Sequence, residues 1–430
     1  MISPAAKMCW PRMLVAARGL AVKVAVRVAA TVGVTMGIIV GFAACDGADG
    51  PDAAPAEGVT MQVDTVDGVE VREARGTPEQ WDLEPAFQVG ELDGPDAEVF
   101  QSVASLALAE DGSLWVADGG GSGAQDIRVF DAEGSHVRTV GREGQGPGEF
   151  QTLHSLTWVG ADTLAALDPG NARIGLLDRE GEWLGQWRYE ANITGPSRLI
   201  RFYPAARDEA YAYHVTWGEG TGGGTVRSLV PLPPDAPRDT LALPDEDSPV
   251  PTAVLCEQEG IIRSFAIHAA GRWLDQPVPG GRLARAWGPE YWVEIRDPDG
   301  EVDHALRRDP DPAPVDPEAW EEAMASYFDF RDEHGASGCD PADPDPPDHR
   351  PALRELLTDR DGALWLEVED AQGRRFDIYD PDGELVAEVP DVPERNEGVP
   401  PSIADDRLAL VTADDLGVER VEVFQIRRPE

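Results

Sequence analysis

Glycines that close tight turns return along this chain in pairs, and their spacing narrows the choice of fold more than any other feature. Gly112 and Gly134, Gly160 and Gly181, Gly281 and Gly300, and Gly362 and Gly383 each bracket a similar stretch. Most of them follow an acidic residue, as in Asp111-Gly112, Glu133-Gly134, Glu180-Gly181, Asp299-Gly300 and Asp382-Gly383. Such pairs supply the positive φ that a hairpin turn of the right twist demands. One Asp-Gly pair carries little weight, but recurrence between similar apolar runs does. Aligned on the glycines, LWVAD…IRVFDAEG, TLAALD…RIGLLDREG and LWLEVED…FDIYDPDG give a single pattern: apolar strand, loop, alternating strand ending in Asp, glycine turn, further strand. The first two units lie 47 or 48 residues apart, the length of a four-stranded antiparallel sheet.

Each unit is apolar on both faces of its strands, as in Leu114-Trp115-Val116 and Ile127, Val129, Phe130. A single sheet of that kind leaves an oily face in water. Sheets packed radially around an axis bury both faces, so the period predicts an all-β β-propeller with four-stranded blades, and counting units along the chain makes it six-bladed. The blades are expected at 99–145, 150–190, 197–245, 252–308 and 350–391. The sixth is expected from 399–428 together with N-terminal strands near 59–92, a pairing of chain ends that removes open sheet edges. Val66-Asp67-Gly68 marks a hairpin at the start of this folded part. Residues 316–332 break the β pattern, and Trp320, Met324, Tyr327 and Phe328 fall at helical spacing. A short amphipathic helix packed on the propeller is expected there, with aromatic lining of a pocket as the other reading.

Arg142-Glu143-Gly144-Gln145-Gly146-Pro147-Gly148-Glu149-Phe150, with WVAD…IRVFDAEG before it, closely resembles the inter-blade connection of NHL-type repeats. In particular it is similar to six-bladed propellers of bacterial envelopes. The resemblance extends over 59–428, strongest in 99–190 and 350–390 and weakest in 197–280. It implies a rigid ring with a central funnel, Phe150 wedged between blades, and loops that meet a peptide, glycan or envelope protein. It implies no particular substrate, since propellers host many functions.

Ahead of the repeats, Met1 to Ala44 holds five basic residues (Lys7, Arg12, Arg18, Lys23, Arg27), no acidic one, and an uncharged run from Val28. Phe42-Ala43-Ala44-Cys45 resembles a lipobox. The expectation is a lipoprotein signal peptide over 1–44, lipidation at Cys45, a flexible tether over 45–58 rich in Asp, Pro and Ala, and a propeller over 59–430. Multiple acyl chains on Cys45 would anchor the protein firmly, each buried methylene contributing about 0.8 kcal/mol. An uncleaved membrane helix and ordinary cleavage nearby are the competing readings. Lipid attachment places the protein in a bacterial cell envelope, facing the periplasm, as a monomer held to the membrane by its anchor alone.

The chain has 80 acidic against 36 basic residues, a net charge of −44, and that field argues against a nucleic-acid partner. Cys256 and Cys339 remain after Cys9 and Cys45, and in an oxidising compartment they form either a disulfide or two separate thiols. No phosphate loop, dinucleotide glycine motif, nucleophile elbow or paired-histidine motif occurs. His154, in PGEFQTLHSL, resembles the histidine of NHL-type lyases that hold zinc in the channel. A metal would need two more inward-facing partners, and His214 and His268 lie outside matching motifs. The alternative is a histidine satisfied by backbone hydrogen bonds between blades. Asp340, Asp343 and Asp345 invite calcium, but the interleaved prolines favour an extended solvated segment. Trp115, Trp158, Trp183, Trp187, Trp292 and Trp365 are expected mainly between blades, with one or two at a channel mouth. The functional expectation is therefore a binding or scaffolding module without cofactor, zinc and calcium being the metals to test. The alternative is a metal-dependent lyase or lactonase.

Overall fold

In the computed structural model the residues described are 58–430, apart from 121–122, 190–196, 218–224, 245–251, 259–260, 267–269, 336–343, 415 and 430. The signal segment, Cys45, nearly all of the tether, His268, Cys339, Asp340 and Asp343 lie outside them, and Asp345 is exposed.

Six antiparallel sheets of four core strands follow one another. They begin with inner strands Val103–Leu108, Ser155–Val159, Ser197–Ala206, Trp273–Val278, Leu353–Thr358 and Ser402–Ala404. The inner strands of neighbouring blades face each other, and the last of them packs back on the first. This is the six-bladed β-propeller. Consecutive side chains of one strand enter opposite interfaces: Leu114 and Val116 pack with the sixth blade, whereas Trp115 and Ala117 pack with the second. Each of the six blade interfaces holds its own apolar cluster. That explains strands apolar on both faces. Trp115 and Trp158 lie edge to face at 5.5 Å between blades one and two, as expected of inter-blade tryptophans.

The glycine turns have the required geometry, with φ between +80° and +88° at Gly112, Gly134, Gly181, Gly300, Gly362 and Gly383. An aspartate three residues before the glycine caps most of them. Oδ1 of Asp131, Asp178, Asp297 and Asp380 each accepts two backbone N–H bonds inside its own turn. In the NHL-like connection Phe150 N donates to Arg142 O at 2.8 Å and Gly144 N to Phe150 O at 3.0 Å. The loop thereby drives the Phe150 ring, 0% exposed, into the interface of blades one and two.

Two expectations are corrected. The fourth blade is not 252–308. Among the described residues Thr252–Gln258 and Ile261–Ala266 pair only with each other, and the blade starts at Trp273 and ends at Arg307. The N-terminal strands also do not all complete the sixth blade. Asp82–Val89 does so, antiparallel to Glu419–Arg427. The hairpin Thr60–Val66 and Val69–Arg75 instead lies parallel on the outer strand of blade four, and Glu79–Gln80 adds to the edge of blade five. Val71 and Ala74, 2% and 7% exposed, supply the reason: they cover apolar surface on an edge that would otherwise be open.

The inserted segment is two helices, Pro317–Ala323 and Ala325–Gly335, broken at Met324. Asp316 caps the first, its carboxylate accepting from Glu318 N. Trp320, Met324 and Tyr327 form a buried cluster against Ala270, just ahead of blade four. Among the described residues, no helix is long and apolar enough to cross a membrane.

Candidate functional site

A cavity of about 320 Å³ runs between the inner strands on the propeller axis. At one end the turns joining first and second strands are drawn together. Arg207 N, in blade three, donates to Arg360 O, in blade five, at 2.7 Å. Glu110 of blade one pairs with Arg207, with Arg360 at 3.1 Å and with Arg179 of blade two at 3.2 Å. Glu209 of blade three accepts from the backbone of Gly280 and Gly281 in blade four. Carboxylates and guanidinium groups of several blades thus lace this end.

At the opposite end, where inner strands begin, His154 is exposed and lines the cavity beside the serine-bearing start of its strand. Its backbone N–H is bonded to Leu167 O at 3.0 Å. The side chain stands at the mouth and is not sealed between blades. His214 lies in the second strand of blade three, away from the cavity lining. Among the described residues, no group of three or more His, Cys, Asp or Glu side chains could hold a metal ion.

Deeper in, the wall carries a charged pair that sequence reasoning did not single out. Arg201 Nη2 lies 3.4 Å from Glu355 Oε1, and the guanidinium lies 4.4 Å from the centroid of the Tyr203 ring. Burial by itself would lower the Arg201 pKa, but attraction to Tyr203 and Glu355 outweighs it and holds the group above its ordinary value. Burial pushes the Tyr203 phenol up. Glu355 is also approached by Arg272 at 3.1 Å and Arg395 at 3.8 Å. Gln276 bridges three blades, donating to Pro204 O at 2.6 Å and Thr358 Oγ1 at 3.0 Å. The signal available in sequence was charged residues set among the apolar ones of two inner strands, in RLIRFYP and LRELLT. The result is a mainly apolar cup with a fixed donor, a fixed acceptor and an aromatic face, which suits recognition of a partly polar ligand.

Fold and cavity define a six-bladed propeller of NHL-like blades with a ligand-sized axial cavity. NHL repeat-containing protein 3 of Homo sapiens is 32% identical over 106 residues, a match covering 24% of this chain and 30% of that protein. The Mus musculus protein of the same name is 30% identical over 106 residues with the same coverage. The chain thus spans under a third of the length of these curated relatives. No family model matches the chain. Among solved structures it is similar to a putative exported protein of Bacteroides fragilis (13% identity, TM-score 0.38, 82% of this chain and 99% of that one). It is also similar to regucalcin, a calcium-binding protein of Agrobacterium tumefaciens (13%, TM-score 0.36, 82% and 97%). Virginiamycin B lyase of Staphylococcus aureus is similar too (7%, TM-score 0.36, 79% and 98%). Likeness at this level says nothing of ligand or activity.

Proposed function

We propose that this protein is a cell-envelope lipoprotein, anchored through Cys45 and facing the periplasm, whose propeller is a binding or scaffolding module. A peptide, glycan or envelope protein meets the channel mouth near His154, and a polar group of that partner engages Arg201 and Glu355. The observation that supports this reading is the Arg201–Glu355–Tyr203 group, Glu355 buried and the other two partly so, in a mainly apolar cavity that His154 also lines. The lyase or lactonase alternative has no converging metal-ligand set among the described residues.

The anchor is tested by replacing Cys45 with Ala in cells. The variant should leave the membrane fraction, and a variant that stays embedded would overturn the lipid anchor. The binding role is tested with a photo-crosslinking side chain at position 154 of the full chain. A discrete envelope partner captured by that protein and lost on Arg201→Gln supports binding. Stoichiometric zinc or calcium in the purified full chain, lost on His154→Ala, would instead establish the enzyme reading.

A further inference from the structure

A second cavity, of about 440 Å³, lies between the helical insertion and the entrance strands of blades four and five. Its apolar wall includes Trp320, Ala319, Val315 and Leu353. Four guanidinium groups reach it: Arg272 before blade four, Arg350 and Arg354 at the start of blade five, and Arg374 beside the turn at the end of that blade's second strand. Glu369, its side chain 7% exposed, is the one buried carboxylate shared by three of them, at 2.6 Å from Arg350, 3.4 Å from Arg354 and 3.8 Å from Arg374.

Glu369 is not alone in answering these guanidinium groups: Glu367 also acts on Arg354, and exposed Asp316 and Glu322 line the cavity together with two carboxylates of the rim. Glu397 pairs with Arg354, and Glu394 approaches Arg374 at 3.8 Å. Both rim residues belong to the connection between blades five and six, with side chains 44% and 90% exposed. The Arg374–Glu394 separation is too long for a hydrogen bond, so the bidentate geometry that makes Arg–carboxylate pairs strong is unused there. Burial, the largest influence, lowers the Arg354 pKa, and repulsion from Arg374 and Arg272 adds to it against the opposing attraction of Glu369 and Glu367.

We propose that this cavity binds a small organic dicarboxylate, whose two carboxylates take the places of Glu394 and Glu397 on Arg374 and Arg354 while its carbon chain lies against Trp320. The volume suits a small ligand, and a desolvated guanidinium pair recognises a planar carboxylate better than a flexible surface glutamate does. Glu394 and Glu397 act as internal competitors that keep the arginines paired until a ligand arrives. The proposal is separate from the channel reading, because none of Arg354, Arg374, Glu394 and Glu397 lines the channel.

Calorimetric titration of the full chain in detergent with succinate, glutarate and adipate, and with butyrate as the single-carboxylate control, tests it. At least one dicarboxylate should bind one to one and at least tenfold more tightly than butyrate. Arg374→Gln should weaken that binding at least tenfold, and the Glu394→Gln/Glu397→Gln double variant should strengthen it severalfold. No saturable dicarboxylate binding by the wild type and the double variant, both folded by circular dichroism, would overturn the proposal. Binding that Arg374→Gln leaves unchanged would do the same. Either result leaves the channel reading standing.

Discussion

Asp118 and Asp168 occupy matching positions in the first two blades and repeat one arrangement. Each is fully buried, accepts backbone N–H bonds from the segment leading into its inner strand, and pairs with an arginine of the third strand. Arg128 lies 2.7 Å from Asp118 and Arg173 lies 3.3 Å from Asp168. Removing Asp118 takes the nearest carboxylate from buried Arg128, which keeps Asp126 at 3.3 Å and the Val99 carbonyl at 2.6 Å. Asp118→Ala should therefore cost about 3–5 kcal/mol in urea denaturation, and a loss below about 1 kcal/mol would show that Arg128 finds another partner. His304 gives a pH-dependent case. Its Nε2 is buried without a hydrogen-bond partner, and burial lowers its pKa from the ordinary 6.5, as it does for His214. Both are favoured neutral in the fold, so below about pH 6.5 the unfolded chain takes up protons first and stability falls with decreasing pH. Urea midpoints measured at about pH 7.5 and about pH 5.5 should differ less in His304→Gln than in the wild type. An unchanged difference would assign the effect elsewhere.

Between elements, the blades are stitched by serines as well as by apolar contact. Ser105 Oγ accepts from Leu156 N at 3.0 Å, Ser155 Oγ from Phe202 N at 3.1 Å, and Ser402 Oγ from Leu108 N at 2.9 Å. In each case the inner strand of one blade satisfies a backbone donor of the next. Ser155→Ala leaves the buried Phe202 N–H unpaired and should cost about 1–3 kcal/mol, read as a lowered denaturation midpoint. The N-terminal strap separates two roles that look alike in sequence. Deleting Asp82–Val89 removes the outermost strand of blade six and exposes the edge of Glu419–Arg427, so loss of the folded state or aggregation is expected. Deleting residues 58–76 removes a hairpin from the rim of blade four and leaves the ring closed. That variant should keep its far-ultraviolet circular dichroism and melt at a lower temperature. Equal effects from the two deletions would overturn this division.

At the scale of the whole ring, Glu110 ties blades one, two, three and five together through Arg179, Arg207 and Arg360. Glu110→Gln leaves three guanidinium groups crowded around a neutral side chain, and a loss of about 1–3 kcal/mol in one cooperative transition is expected, discounted for partial exposure. Separate transitions for different blades would show that this lacing does not couple them. What the amino-acid sequence determined was periodic and local: the 22-residue step from Gly112 to Gly134, the Asp-capped turns, strands apolar on both faces, the Phe150 connection and the helical spacing of Trp320, Met324 and Tyr327. Those follow from backbone conformation and from the need of each sheet to hide two faces, which act at short range and recur. Tertiary structure decided where the first hairpin docks, that Thr252–Gln258 and Ile261–Ala266 stand outside the fourth blade, and that Arg201 meets Glu355 across 154 residues. It also brought Arg350, Arg354 and Arg374 around Glu369. These arrangements depend on which edge or charge is left uncovered once the ring has closed, a condition set by distant residues together and written in no single segment.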